Sequence, residues 1–248
     1  MSSTWIRLNP VKRPNRSIAA GDDRPGRPAG LGATIRRLAA RGSVSAGGVV
    51  LAGIDCDERT ALVVVDVQND FASPDGSLSV RDAGAVIDPI NRAIERARAA
   101  GALVVYTRDW HPAETPHFAP FGGKWPVHCV RETWGAAFHP DLVVLEDSPQ
   151  IFKATGLEDG YSAFSVFHLA SGETGSTGLE RLLRERGIER VVLAGLATDY
   201  CVAESGLDAR RDGFEVAVLR EAVRAVDLEP GDGARALERL EQAGVRLA

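Results

Sequence analysis

Apolar positions along the chain fall into short unbroken runs, separated by stretches in which they recur every three or four residues. ALVVVDVQ (61–68), ALVVYTRD (102–109), ERVVLAG (189–195) and FEVAVLRE (214–221) are runs of the first kind, rich in β-branched residues. That length and composition suit strands buried on both faces. AGAVIDPINRAIERARAAG (83–101), TGLERLLRERGI (177–188), ESGLDARRDG (204–213) and GARALERLEQAG (233–244) read as helices, the first closing on a glycine. DLVVLED (141–147) and QIFKA (150–154) read as two further short strands. The alternation predicts an α/β domain with a parallel sheet covered by helices on both faces. Ligands of such sheets collect beyond the carboxyl ends of the strands.

The regular pattern begins near residue 56. Before it, residues 1–55 are rich in Arg, Pro, Gly, Ser and Ala and lack the apolar core of a secretory signal. They read as an N-terminal arm, disordered or carrying a short basic helix over 32–42, ahead of one domain spanning 56–248. An organellar transit peptide or a start codon placed too far upstream would give the same composition. The 248 residues carry a net charge of -5, which points to neither nucleic acid nor an acidic membrane as partner. No apolar run approaches the roughly 20 residues that span a bilayer. Cys56, Cys129 and Cys201 form an odd set without disulfide-framework spacing, as expected of a protein in the reducing cytoplasm.

Reactive side chains stand at the predicted strand ends: Asp66, Asp109, Lys153 and Cys201. Singly, each has a plain structural reading, as a loop cap, a lysine whose stem covers a strand, or a buried thiol. Together they suit a Cys–Asp–Lys hydrolytic site, with Cys201 near a helix start where thiolate is favoured. Gly195 and Ala197 are small enough to let backbone N–H groups approach a developing oxyanion. A second group lies in TRDWHPAETPHFAPFGGKWPVHCV, where Asp109, His111, His117 and His128 offer one carboxylate and up to three imidazoles. That donor set suits a divalent transition metal, zinc foremost and iron or manganese as alternatives. His139 and His168 fall outside the window and read as structural or surface residues, and Cys129 as packing.

VVVDVQNDFASPDGSLSV, TRDWHP, KWPVHCV, FKATGLEDGYSAFSV and GLATDYCV, in that order over residues 61–227, resemble the nicotinamidases within the isochorismatase-like cysteine hydrolases. The resemblance implies a three-layer, Rossmann-like fold around a six-stranded parallel sheet. It implies Cys201 as nucleophile, Asp66 as proton-transfer residue and Lys153 as third member of the triad, with Ala197 and Cys201 N–H groups as oxyanion hole. Asp109, His111 and His128 would bind the metal, with His117 in the place of an extra ligand that only some members have. Phe71 and Trp125 would flank a pyridine ring, with Tyr161 or Phe164 closing the pocket and a cis peptide between Leu196 and Ala197. The implied reaction is hydrolysis of nicotinamide, and of pyrazinamide, through a cysteine thioester, feeding NAD salvage; a homo-oligomer is left open. Ala154 departs from the family, which often has glycine after the lysine, and the arm has no counterpart. The competing readings are an amidase for another small amide, a non-catalytic binding protein and a thiol redox protein.

Overall fold

The computed structural model of the chain describes residues 49–51, 53–169 and 171–248. Its elements are β1 (Val49–Leu51), β2 (Ile54–Cys56), β3 (Thr60–Val65), α1 (Asn69–Ala72), α2 (Ile87–Ala99), β4 (Leu103–Asp109) and β5 (Gln150–Lys153). They continue with β6 (Ser165–His168), β7 (Glu173–Ser176), α3 (Leu179–Glu185), β8 (Arg190–Leu196), α4 (Ala203–Arg211), β9 (Glu215–Arg224), α5 (Asp232–Gln242) and β10 (Arg246–Leu247). Six strands form one sheet in the order β10-β9-β8-β3-β4-β5, every pair parallel. The expected six-stranded, three-layer α/β fold is present.

Alternation along the central strand explains the layers. Leu62 and Val64 of β3 face the cluster built with Ile87, Ile90 and Ile94 of α2. Ala61, Val63 and Val65 face Leu179 and Leu183 of α3, Ala209 of α4 and Leu240 of α5. Successive side chains of a strand point to opposite faces, so an unbroken apolar run is needed when both faces are covered.

Several elements differ from the expectations. The stretch 141–147 is not a strand, because side chains take its backbone groups: the Tyr106 hydroxyl donates to Val143 O (2.9 Å) and accepts the Leu145 N–H (3.2 Å). Asn91 likewise donates to Asp141 O and accepts the Val143 N–H, each at 2.8 Å. The sixth strand is instead β10, two residues long. The helix expected from residue 83 begins as a 3₁₀ turn over Ala83–Val86, with α2 following from Ile87. Pro89 accounts for the break, since its ring would clash with the carbonyl four residues back. Residues 49–51 and 53–55, placed in the arm by the sequence pattern, contribute to the β1–β2 hairpin, whose Leu51, Ile54 and Cys56 are buried in the core. The remainder of the arm and the helix expected over 32–42 lie outside the described residues. No helix among the described residues is long and apolar enough to cross a membrane.

The strand ends converge. Asp109 and Lys153 are register partners at the ends of β4 and β5, and Val65 pairs with Gly195 between β3 and β8. Gly195 has φ +120°, and a Cβ there would lie 2.1 Å from Val65 O. Gly195→Ala should therefore push β8 away from β3 and lower the unfolding free energy by about 3 kcal/mol, read from urea unfolding. Unchanged stability would show that the two strands do not meet this closely.

Candidate active site

Lys153 is fully buried at the end of β5, with its ammonium at the meeting point of the strand ends. Its Nζ donates to Asp66 Oδ2 (2.6 Å), to the carbonyl of Tyr161 (2.9 Å) and to Cys201 Sγ (3.4 Å), using its three N–H groups. Asp109 Oδ1 is also 3.0 Å from Nζ, within ion-pair range but out of line for a hydrogen bond. Asp66, directly after β3, has φ 49° and accepts a 2.6 Å hydrogen bond from the Thr107 hydroxyl at its other oxygen. The same hydroxyl accepts the Asp66 N–H at 3.2 Å.

Burial pushes the Lys153 ammonium toward neutrality, but Asp109, Asp66 and Cys201 together outweigh it and hold the group charged well above the usual lysine range. Burial raises the Asp66 carboxyl, and Asp109 raises it further against the pull of Lys153. Cys201 moves the same way: burial, Asp66 and Asp109 outweigh Lys153 and push the thiol well above its ordinary value. This corrects the expectation of a resting thiolate. A helix start favours the thiolate, but desolvation and the neighbouring carboxylates outweigh it here. The raised Asp66 carboxyl is a stronger base than an ordinary carboxylate, which offsets part of the cost of drawing a proton from the raised thiol.

Cys201 lies in a π-helical turn, Thr198–Val202, that follows β8 and leads into α4. The Leu196–Ala197 peptide is cis, at the position the resemblance implies. Ala197 O accepts the N–H groups of Tyr200 (3.2 Å) and Val202 (3.0 Å), and Ser205 Oγ donates to Cys201 O (2.5 Å), fixing the turn.

Three imidazoles stand beside this cluster. His111, His117 and His128 are all buried and can each offer one nitrogen within 4.8 Å of the others. Neither ring nitrogen of buried His111 has a hydrogen-bond partner. Such an orphaned imidazole is costly unless something else takes its lone pair, and a metal ion fits that requirement. His128 Nδ1 is 2.7 Å from Pro126 O, and burial pushes its imidazolium down to about 4, so the ring is neutral near pH 7 and has a lone pair to give. Asp109 Oδ2 lies 3.8 Å from His111 Nε2 and 3.9 Å from His128 Nε2. Burial alone would raise the Asp109 carboxyl, but Lys153 and the histidines hold it well below the usual carboxylate range.

Between the thiol and the imidazoles is a pocket of about 350 Å³ including its mouth, small for a ligand site. Its walls include Phe71, Leu78, Trp125, Tyr161, Tyr200 and Val226. Trp125 Nε1 donates to the Tyr161 hydroxyl at 3.0 Å, and the Tyr200 ring stands 5.0 Å from Trp125 and 5.2 Å from Tyr161. Cys201 reaches the pocket, while Asp66 and Lys153 lie behind it, wholly shielded from solvent.

The sequence pattern of the Isochorismatase domain matches residues 60–248. The chain belongs to the isochorismatase family. Within this family of hydrolases it is 35% identical to the nicotinamidase of Escherichia coli K12, over 75% of this chain and 93% of that protein. The pyrazinamidase of Pyrococcus horikoshii in complex with zinc superposes with a TM-score of 0.68 at 40% identity, covering 77% of this chain and 98% of that one. PnC1 of L. infantum in complex with nicotinate gives a TM-score of 0.71 at 35% identity, covering 79% and 95%.

This isochorismatase-family site gathers most of the residues singled out from the sequence: Asp66, Lys153, Cys201, Asp109, His111, His117, His128, Phe71, Trp125, Tyr161 and Ala197. Phe164 is the exception. Its N–H turns to Ser162 Oγ (3.0 Å) and its ring packs 6.2 Å from Phe214 in the core, so Tyr161 and Tyr200 line the pocket instead. The sequence reading missed Thr107, Tyr200 and Gln68. Gln68 Nε2 donates to Asp109 O, and Gln68 Oε1 accepts the Asp109 N–H, both at 2.8 Å, so it clamps the backbone of the shared carboxylate. A polar residue just past an apolar strand was the available signal for Gln68. Wild-type protein equilibrated with zinc should hold one metal ion per chain, and His111→Ala should bind it at least about 100-fold more weakly. Equal metal content at limiting zinc would show that the imidazoles are structural.

Proposed function

We propose that the chain is a nicotinamidase, hydrolysing nicotinamide to nicotinate and ammonia and so returning the pyridine to NAD salvage. The observation that carries this reading is one small pocket lined by the Cys201 thiol, by aromatic rings and by His117 and His128, two of the three clustered imidazoles. A flat, neutral ring bearing a carboxamide and a ring nitrogen matches those surfaces. Pyrazinamide offers the same two features. The nicotinamidase and pyrazinamidase names of the relatives support the assignment, as does the nicotinate bound to the L. infantum protein.

In the proposed reaction Asp66 accepts the Cys201 proton as sulfur attacks the carboxamide carbon. The N–H groups of Ala197 and Cys201 hold the developing oxyanion. The intermediate collapses, the C–N bond breaks, and Asp66 returns the proton to the leaving ammonia. Water, deprotonated by Asp66, then splits the thioester to nicotinate, and the proton passes back to sulfur. Lys153 keeps its proton throughout; its charge holds Asp66 ionised in a dry site and restrains the sulfur. Phe71 and Trp125 hold the ring, with Tyr161 and Tyr200 beside them. Asp109, His111, His128 and His117 would hold a divalent ion, zinc as in the Pyrococcus horikoshii relative, with iron or manganese suiting the same donors. When bound it supplies a Lewis-acid anchor for the ring nitrogen.

Purified protein should release ammonia from nicotinamide, lose that activity on chelation and regain it with metal. Cys201→Ala should lower turnover at least about 1,000-fold. No release from metal-replete protein, or full release by the variant, would overturn the reading. Thr107→Val removes a hydrogen bond that favours ionised Asp66. The base is then protonated at higher pH, so the acid limb of kcat/KM should move up by about half to one pH unit. An unmoved limb would take Asp66 out of the base role.

A further inference from the structure

The segment between Lys153 and Tyr161 does more than connect them. Tyr161 gives its carbonyl to the Lys153 ammonium and its hydroxyl to Trp125. Two residues before it, Asp159 Oδ1 lies 2.7 Å from His117 Nδ1. His117 is buried, and its ring is stacked on that of His111 with centroids 4.7 Å apart and planes at 19°.

Asp159 is itself held in place. Its N–H donates to Phe167 O (2.8 Å), and its carbonyl accepts the Phe167 N–H (2.5 Å), stitching the loop to β6. Glu158 accepts from the Thr155 hydroxyl (3.1 Å) and the Gly156 N–H (3.0 Å), closing the loop on itself. Gly160 permits the close approach, since a Cβ there would stand 2.9 Å from Val166 Cα. On the other side, a Cβ on Gly123 would fall 2.0 Å from His117 O, so the backbone of His117 is equally confined. With both backbones fixed, the hydrogen bond sets the rotation of the imidazole.

We infer that Asp159 is the positioning residue that brings His117 into the metal site, by holding Nδ1 as its N–H donor and leaving the other nitrogen to join those of His111 and His128. A carboxylate behind a ligating imidazole fixes its tautomer and raises its basicity as a donor. Asp159 thereby ties the metal subsite to the loop that also supports Lys153 and Trp125. The inference rests on the metal part of the proposed function and not on the identity of the amide.

The test is cobalt(II) titration of the full chain, wild type against Asp159→Ala, His117→Ala and the double variant, following visible absorption and affinity by competition with a chelator. Asp159→Ala should weaken cobalt binding about 10–100-fold. Its cobalt spectrum should shift toward that of His117→Ala, and the double variant should bind no more weakly than His117→Ala alone. Asp159→Asn keeps the shape and loses the charge; it should give a smaller shift in the same direction if the alanine variant does not fold. A residue that only braced the loop would lower thermal stability without moving the cobalt spectrum. Wild-type affinity and spectrum in the Asp159 variants, fully additive losses in the double variant, or a wild type that takes up no cobalt would each overturn the inference. Nicotinamide appears in none of these readouts, so failure of the substrate assignment would show separately, as absent ammonia release from a chain with this metal behaviour intact.

Discussion

A lysine ammonium sealed from water between two carboxylates and a thiol is the constraint on which the site depends. Lys153 and Asp66 are both fully buried, and removing either partner of such a pair leaves an uncompensated charge at a cost of about 3–5 kcal/mol. The sheet supplies the solution: β3, β4 and β5 are neighbours, Asp109 and Lys153 meet as register partners, and Asp66 turns toward them directly after β3 with φ 49°. Asp109 then joins two chemistries. One of its oxygens faces the ammonium and the other faces His111 and His128. The two carboxylates and one ammonium leave a net negative charge next to three imidazoles, which favours a divalent cation there.

The same arrangement explains why the cysteine is a thiol at rest. Low dielectric penalises a third anion beside Asp66 and Asp109 more than Lys153 rewards it. In the reaction we propose, reactivity is therefore linked to the arrival of an acyl group: the proton would leave sulfur for Asp66 as the new bond forms. Ala154 shows how firmly the lysine is held. It is buried with φ 51°, a left-handed conformation that favours glycine, yet the chain keeps it between Lys153 and the loop that returns Tyr161 O to the ammonium.

Much of this was legible in the amino-acid sequence, because buried parallel strands need unbroken apolar runs and the polar residues that end those runs stand out. Asp66, Asp109 and Lys153 could be located this way, and the five ordered motifs placed them in one site. What escaped, Gln68 apart, had no local signature. β10 is two residues long and exists through pairing with β9. The run at 141–147 looks like a strand until Tyr106 and Asn91 claim its backbone. Phe164 and Tyr200 differ in role only through the folded path around Ser162 and the π-helical turn. The contact between Asp159 and His117 joins positions 42 residues apart, beyond the reach of any spacing argument.

The most direct test of the central claim, that the buried lysine–aspartate pair serves a cysteine acyl transfer, is partitioning by hydroxylamine during nicotinamide turnover. A nicotinoyl thioester on Cys201 should be intercepted, giving nicotinoyl hydroxamate at the expense of nicotinate while ammonia release continues. Ammonia and nicotinate formed with no hydroxamate, at hydroxylamine concentrations that leave the enzyme active, would instead mean direct attack of water on the amide and would contradict the account.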